Sequence, residues 1–371
     1  MKIQNLKKLG PGLLFAGAAI GVSHLVQSTR AGADFGFGLV WALLISIILK
    51  YPFFQYGSRF ALATKMSLLD GYYKLGKIYL LIFFIISIGT IFTIQTAVTI
   101  VTASLATTIL GDSQNLVLLS TLIILLCFLM LLFGNYKFLD NLIKIIILAL
   151  TVSTLIALLV ALTKNNNSFN FSQVIPYETS IIFLAALIGW MPAPLDISVW
   201  QSLWIIEKRK SNTISFDEGI FDFNVGYFGT FILGICFLSL GALVMFGSSV
   251  GFSNVGSIFA GQFIELYTTT LGKSVYPIIV IAAFTTMFST TLTTLDASPR
   301  SMYKSSQLLF PKTSLLDYKF WLIVLSIGTI CIFSFLLDEM GTLVQIATVL
   351  SFITAPFYAY LNLKLVTSNL M

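Results

Sequence analysis

The chain has 371 residues, of which 57% are hydrophobic and 10% charged, with a formal net charge of +6. Soluble domains carry roughly a quarter charged residues, so this composition excludes a soluble enzyme or a nucleic-acid-binding domain. A mean hydropathy of +0.95 describes a protein that spans a membrane many times.

Apolar runs of about 18 or more residues are long enough to cross a bilayer as helices. Ten such spans are predicted, at about 12–33, 37–57, 79–107, 116–133, 142–163, 180–204, 224–246, 275–296, 320–337 and 342–363. With the N-terminus placed in the cytoplasm, alternate loops collect most of the basic residues. They are Lys2, Lys7 and Lys8, then Lys50, Arg59, Lys65, Lys74 and Lys77, then Lys137 and Lys144, then Lys208, Arg209 and Lys210. Arg300, Lys304, Lys312, Lys319 and finally Lys364 follow on the same side, against Arg30, Lys164 and Lys273 on the other. That asymmetry is the positive-inside pattern. It predicts a multi-pass protein of the inner (plasma) membrane with both termini cytoplasmic, and it accounts for the net charge without any nucleic-acid partner. Reading Met1 to Ala19 as a secretory signal would leave nine spans and break the alternation.

Span 1 carries Gly10-Pro11-Gly12 at its start and Ala18-Ala19-Ile20-Gly21-Val22-Ser23-His24 at its midpoint. Gly17 and Gly21 form a GxxxG pair suited to close helix approach. His24 is the only histidine, and an imidazole there can ligate a transition metal, carry a proton, or hydrogen-bond across helices as a neutral group. Near the outer end, Arg30 and Asp34 are spaced i, i+4 and read as an interfacial pair. Span 3 holds Thr90, Thr93, Gln95, Thr96, Thr99, Thr102, Ser104, Thr107 and Thr108 but no carboxylate. Those hydroxyls either line a path or bond back to their own helix.

Span 6 contains Gly189-Trp190-Met191-Pro192-Ala193-Pro194-Leu195-Asp196. Pro192 and Pro194 cannot donate to a helix ladder, so the helix must break, and at membrane depth a break is tolerated where it lines a cavity. Asp196 is costly there unless it faces a site, a partner, or the N-terminus of the half-helix that follows. Met191 offers a thioether, and the break frees carbonyls near Gly21, Ile188 and Gly189 as further ligands. Beyond it, Ser248 to Lys273 reads as an external loop with a short amphipathic piece. Asp296 and Arg300 form a second i, i+4 pair at the inner end of span 8. Cys127, Cys236 and Cys331 have no metal-type spacing and read as buried free thiols.

The two interrupted spans are five apart. Each is the first member of a five-span half, and halves with an odd number of spans insert in opposite senses, which is the arithmetic of an inverted repeat with a site at the midplane. The expected fold is an all-α membrane protein of LeuT type. It forms one transporter domain over residues 1–371, with repeat one at about 10–163 and repeat two at about 180–364.

The chain resembles the NRAMP family of divalent-metal transporters. Gly10-Pro11 followed by Gln27-Ser28-Thr29-Arg30-Ala31-Gly32-Ala33 is similar to that family's opening Gly-Pro and later Gln-Ala-Gly-Ala, and Met191-Pro192 to its span 6 Met-Pro. Ser289-Thr290-Thr291-Leu292-Thr293 and Ala355-Pro356-Phe357 are similar to patterns in its later spans. The departures fall on the site. Gly21-Val22-Ser23-His24 stands where the family has Asp-Pro-Gly-Asn, so Gly21 replaces the metal-binding aspartate and His24 the asparagine. Ala193 and Ser198 replace family histidines, Thr354 stands near its span 10 glutamine, and the acids of span 3 are missing. The resemblance implies a secondary transporter, not an enzyme, that moves a divalent transition metal of the Mn or Fe type as substrate. No resident cofactor is expected, and coupling would be to protons or sodium. The expected metal set is Gly21, His24, Met191 and Asp196, and Asp196 carries the choice of cargo. Turned toward Gly21 and His24, it completes a dication site. Turned away, it leaves a neutral site for hydrated magnesium or a small non-metal solute. A non-transporting receptor would instead have spans 1 and 6 packed as continuous helices.

Overall fold

The structure is a computed structural model that describes residues 10–111, 115–133, 136–164, 171–177, 179–210, 214–247, 252–313, 315–336 and 340–370. Among them there are helices and connecting turns and no strand. In chain order the helices are α1 (Pro11–Ala19), a π-helical turn (Ser23–Ser28), α2 (Thr29–Phe35), α3 (Val40–Thr64), α4 (Leu68–Leu75), α5 (Lys77–Leu110), α6 (Leu116–Phe133) and α7 (Tyr136–Lys164). They continue as α8 (Thr179–Trp190), α9 (Ile197–Arg209), α10 (Phe216–Val244), α11 (Gly256–Leu271), α12 (Tyr276–Leu309), α13 (Tyr318–Leu336) and α14 (Met340–Val366). Helix covers each of the ten predicted spans. Seven described helices are unbroken and long and apolar enough to cross a bilayer, and α1 with the segment Ser23–Phe35 forms an eighth span bent by 48°. Span 6 is the pair α8 and α9, separated by residues 191–196.

Several helices outrun the apolar segments that predicted them. Helix α12 continues to Leu309 through Ser298, Pro299 and Ser301, because helix formation needs local hydrogen bonds and partners, whereas the apolar scan stops at the first polar cluster. The amphipathic piece expected between spans 7 and 8 is α11, with Phe259, Phe263 and Tyr267 on its buried face.

Polarity is arranged for lipid. Helix α6 has a mean hydropathy of 3.1 with only 28% of its window buried, and Leu122, Leu125, Leu126 and Leu129 face outward. The interior instead holds a large complement of Ser and Thr. Most of those on α5 return their hydroxyl hydrogens to their own helix: Thr96 to the Phe92 carbonyl, Thr99 to Gln95, Thr102 to Val98 and Ser104 to Ile100, at 2.7–2.8 Å. Back-bonding meets most of their hydrogen-bonding needs locally, and Thr102 and Ser104 also reach other helices, at Thr291 Oγ1 (2.7 Å) and Met340 Sδ (3.6 Å). Cys127 and Cys236 are buried, whereas Cys331 is exposed on the outward face of α13, contrary to the expectation of three buried thiols.

Span 1 is pinned at its start by an acid that the sequence reading passed over. Asp222, buried on α10, accepts the backbone N–H groups of Gly10 and Gly12 through its two carboxylate oxygens, at 2.9 Å each. The first turn of α1 has no internal partners for those groups, so a carboxylate at its positive end satisfies donors and dipole together.

Candidate functional site

The break in span 1 is closed by side-chain donors. After α1 ends at Ala19, the Thr290 hydroxyl on α12 reaches the carbonyls of both Gly17 and Ile20 at 3.1 Å. The Ser23 hydroxyl donates to the Ala19 carbonyl at 2.7 Å. The π-helical turn then restarts the ladder from Gly21, whose carbonyl accepts from the N–H groups of His24 at 3.1 Å and Leu25 at 2.9 Å. Gly21 is also where α12 presses closest. A Cβ added there would stand 2.7 Å from Thr290 Oγ1 and 2.8 Å from its methyl carbon. The missing span 1 carboxylate is therefore not an open place: α12 fills it.

His24 is fully buried. Its Nε2 lies 2.9 Å from the carbonyl of Thr230 on α10, and because a carbonyl only accepts, Nε2 carries a proton. Its Nδ1 is 2.7 Å from Ser23 Oγ and 3.1 Å from the Ala19 carbonyl. With its one ring proton on Nε2, His24 is engaged across helices at Thr230, whereas the neutral Nδ1 accepts only when the Ser23 hydroxyl turns to it from the Ala19 carbonyl. Met191 is equally buried, and its sulfur accepts from the Ser28 hydroxyl at 3.6 Å. The sulfur and the His24 ring converge on Gly234 of α10: a Cβ there would lie 3.5 Å from Met191 Sδ and 3.8 Å from His24 Cδ2. Gly234, which the sequence reading did not single out, is the third wall of this meeting point.

The break in span 6 is closed by α3. Ser46 donates to the carbonyls of Ile188 at 3.2 Å and Met191 at 2.6 Å. Lys50 points its ammonium at the carbonyls of Ile188, Gly189 and Ala193, at 2.6, 2.8 and 3.2 Å. Lys50 belongs to the middle of α3 and is 8% exposed, so it is not the loop charge that the topology reading took it for. The carbonyls expected as free ligands at Ile188 and Gly189 are held by this cation. The Met191–Pro192 peptide is cis.

Asp196 sits at the N-cap of α9 and is 8% exposed, but its side chain caps no backbone N–H. Its Oδ1 has no hydrogen-bond partner, and its charge acts on Lys50 and Tyr358. Spans 2, 6 and 10 therefore supply its electrostatic surroundings. Of the predicted set, His24 and Met191 are brought together, Gly21 is packed under α12, and Asp196 stands with Lys50. Among the described residues no group of three or more His, Cys, Asp or Glu gathers around one point.

Beside both broken spans lies a cavity of about 430 Å³, lined by Gln27, Arg30, Asp34, Phe183, Asn254 and Gln345 among others. Arg30 and Asp34 do not form the expected ion pair. Arg30 reaches Asn254 at 3.4 Å and lies over the Phe183 ring instead. The second expected pair does form: Arg300 Nε is 2.7 Å from Asp296, which also accepts the Tyr318 hydroxyl at 2.9 Å.

Comparison with known proteins places this geometry. The family model described as "Natural resistance-associated macrophage protein-like" matches residues 12–371. Uncharacterized protein PM0681 of Pasteurella multocida is 38% identical over 367 residues, which cover 96% of this chain and 84% of that protein. Among solved structures, a histidine-to-alanine mutant of the Eremococcus coleocola manganese transporter superposes with a TM-score of 0.63 at 15% identity, covering 95% of this chain and 76% of the other. Mhp1, a nucleobase-cation-symport-1 family transporter in a closed conformation with bromovinylhydantoin bound, gives 0.60 at 13% identity, covering 92% and 74%. At these identities the structures show the fold, and it is the LeuT-type fold.

Proposed function

The chain belongs to the Nramp family, and from that premise we propose that it is a secondary active transporter of divalent transition-metal cations, Mn or Fe in type. Members of the family are transporters rather than enzymes. The two five-span halves form the inverted repeat, and spans 1, 2, 6 and 7 rock against the rest to expose the site to each side in turn. The protein sits in the plasma membrane with both termini cytoplasmic. The observation that carries the reading is that the two broken spans bring the Met191 thioether and the His24 ring each within van der Waals reach of a Cβ placed at Gly234. A soft sulfur and an imidazole suit a borderline transition metal, and the reading requires Asp196, which stands with Lys50, to turn toward that ion. His24 must release one of its present partners to become a ligand.

Lys50 favours a second reading, in which the same fold carries hydrated magnesium or a small non-metal solute. A bare dication about 4 Å from the ammonium is repelled by about 8 kcal/mol at an effective dielectric near 20. Asp196, already paired electrostatically with Lys50, cannot offset that repulsion in full. A hydrated or uncharged cargo avoids the cost. A receptor built of continuous spans 1 and 6 is not favoured, since both are interrupted.

Equilibrium binding to the purified protein separates the readings. Under the metal reading, Mn binds in preference to Mg, and Met191→Ala, His24→Ala and Asp196→Asn each weaken Mn binding by about tenfold or more. Equal affinity for both ions, unchanged in all three variants, would remove these residues from the site.

A further inference from the structure

We propose that Lys50 is a resident cation: its ammonium fills a monovalent-cation cage formed by the carbonyls of Ile188, Gly189 and Ala193, so the broken span holds its shape without a dissolved ion. This goes beyond the cargo question and is independent of it. An ammonium has three N–H donors and no acceptor, and Lys50 places it against three carbonyl oxygens at 2.6, 2.8 and 3.2 Å. Donors and acceptors match one for one. The oxygens come from the end of α8, at Ile188 and Gly189, and from the break itself, at Ala193. Pro192 supplies no N–H for the Ile188 carbonyl, and the helix stops at Trp190 before a ladder can reach the Gly189 and Ala193 carbonyls, so all three need a donor or a cation from elsewhere.

The carbonyl cage offsets the cost of burying this charge. Lys50 is buried on a membrane-spanning helix, where an unpartnered ammonium is costly. Asp196, at the N-cap of α9, acts on it electrostatically. Ser46, one turn earlier on α3, adds a hydroxyl to the Ile188 and Met191 carbonyls. Span 2 thereby delivers both groups that close the span 6 break, and the two spans are tied into one body. A tethered ammonium differs from a bound ion in that it cannot diffuse away or exchange with ions in solution during a transport cycle. The wild-type break is accordingly indifferent to the monovalent ions in solution.

Thermal unfolding of the full-length protein in nanodiscs tests this without any cargo. Lys50→Ala empties the cage, and its Tm is expected to fall and then rise with ammonium chloride to a plateau. Tetramethylammonium chloride, too large for the cage, restores nothing at equal ionic strength, and wild type responds to neither salt. Lys50→Met, which fills the volume without charge, is expected to lose stability with no rescue, and Lys50→Arg to keep most of it. The proposal is overturned if Lys50→Met is as stable as wild type, or if ammonium stabilises Lys50→Ala no more than tetramethylammonium does. If Lys50→Ala is too unstable to purify, the contrast between Lys50→Met and Lys50→Arg decides on its own. Failure of metal binding would leave these results untouched.

Discussion

A methyl group is the unit in which the site can be probed, because two glycines set its walls. At Gly234 an added Cβ would find ordinary van der Waals distances to Met191 and His24. Gly234→Ala is therefore expected to transport nearly as wild type, and Gly234→Leu, which drives its branches into both side chains, to lose uptake by about tenfold or more while remaining folded. Equal activity of the two variants would place the cargo elsewhere. At Gly21 the situation is reversed, since Thr290 already occupies the space. Gly21→Asp, the change that restores the family's carboxylate, should destabilise the protein by about 1–3 kcal/mol through overpacking, measured as a lower Tm. Adding Thr290→Ala should recover part of that loss. A stable Gly21→Asp single variant would show that α12 yields easily and that packing does not explain the glycine.

Between helices, what holds the broken spans is a set of polar contacts from other elements: α12 on span 1 through Thr290, α10 on α1 through Asp222, and α3 on span 6 through Ser46 and Lys50. Asp222→Asn removes the charge that faces the α1 N-terminus and one of its two acceptor oxygens. A stability loss of about 1–2 kcal/mol follows, with faster hydrogen exchange confined to the start of α1. Exchange unchanged there would mean that Asp222 does not pin the helix. The breaks themselves were legible in the sequence, because Pro192 and Pro194 forbid a continuous ladder and Gly21 interrupts an apolar run. The donors that close them were not. Lys50 looks like a charge near the end of span 2, and its carbonyl partners are about 140 residues further along the chain. Asp222 follows a loop-like polar stretch, and nothing local marks it as the cap of a helix more than 200 residues away. Hydropathy and Pro/Gly punctuation read what a segment does to itself. They are blind to which distant side chain completes it.

At the scale of the whole molecule, a cavity lined by Gln27, Arg30 and Gln345 among others lies beside spans 1 and 6, and Asp222 fastens the start of span 1. The order of the spans was readable because most are autonomous apolar runs. Cargo selectivity was not, since it turns on the balance between Lys50 and Asp196 that only the packing reveals. The most direct measurement is uptake into proteoliposomes containing the purified protein, comparing Mn, Fe, Zn, Mg and Ca with and without Met191→Ala. The account predicts saturable uptake with Mn or Fe preferred and the preference lost in the variant. Absence of uptake for every one of these ions, in liposomes whose protein is folded and correctly reconstituted, would contradict it.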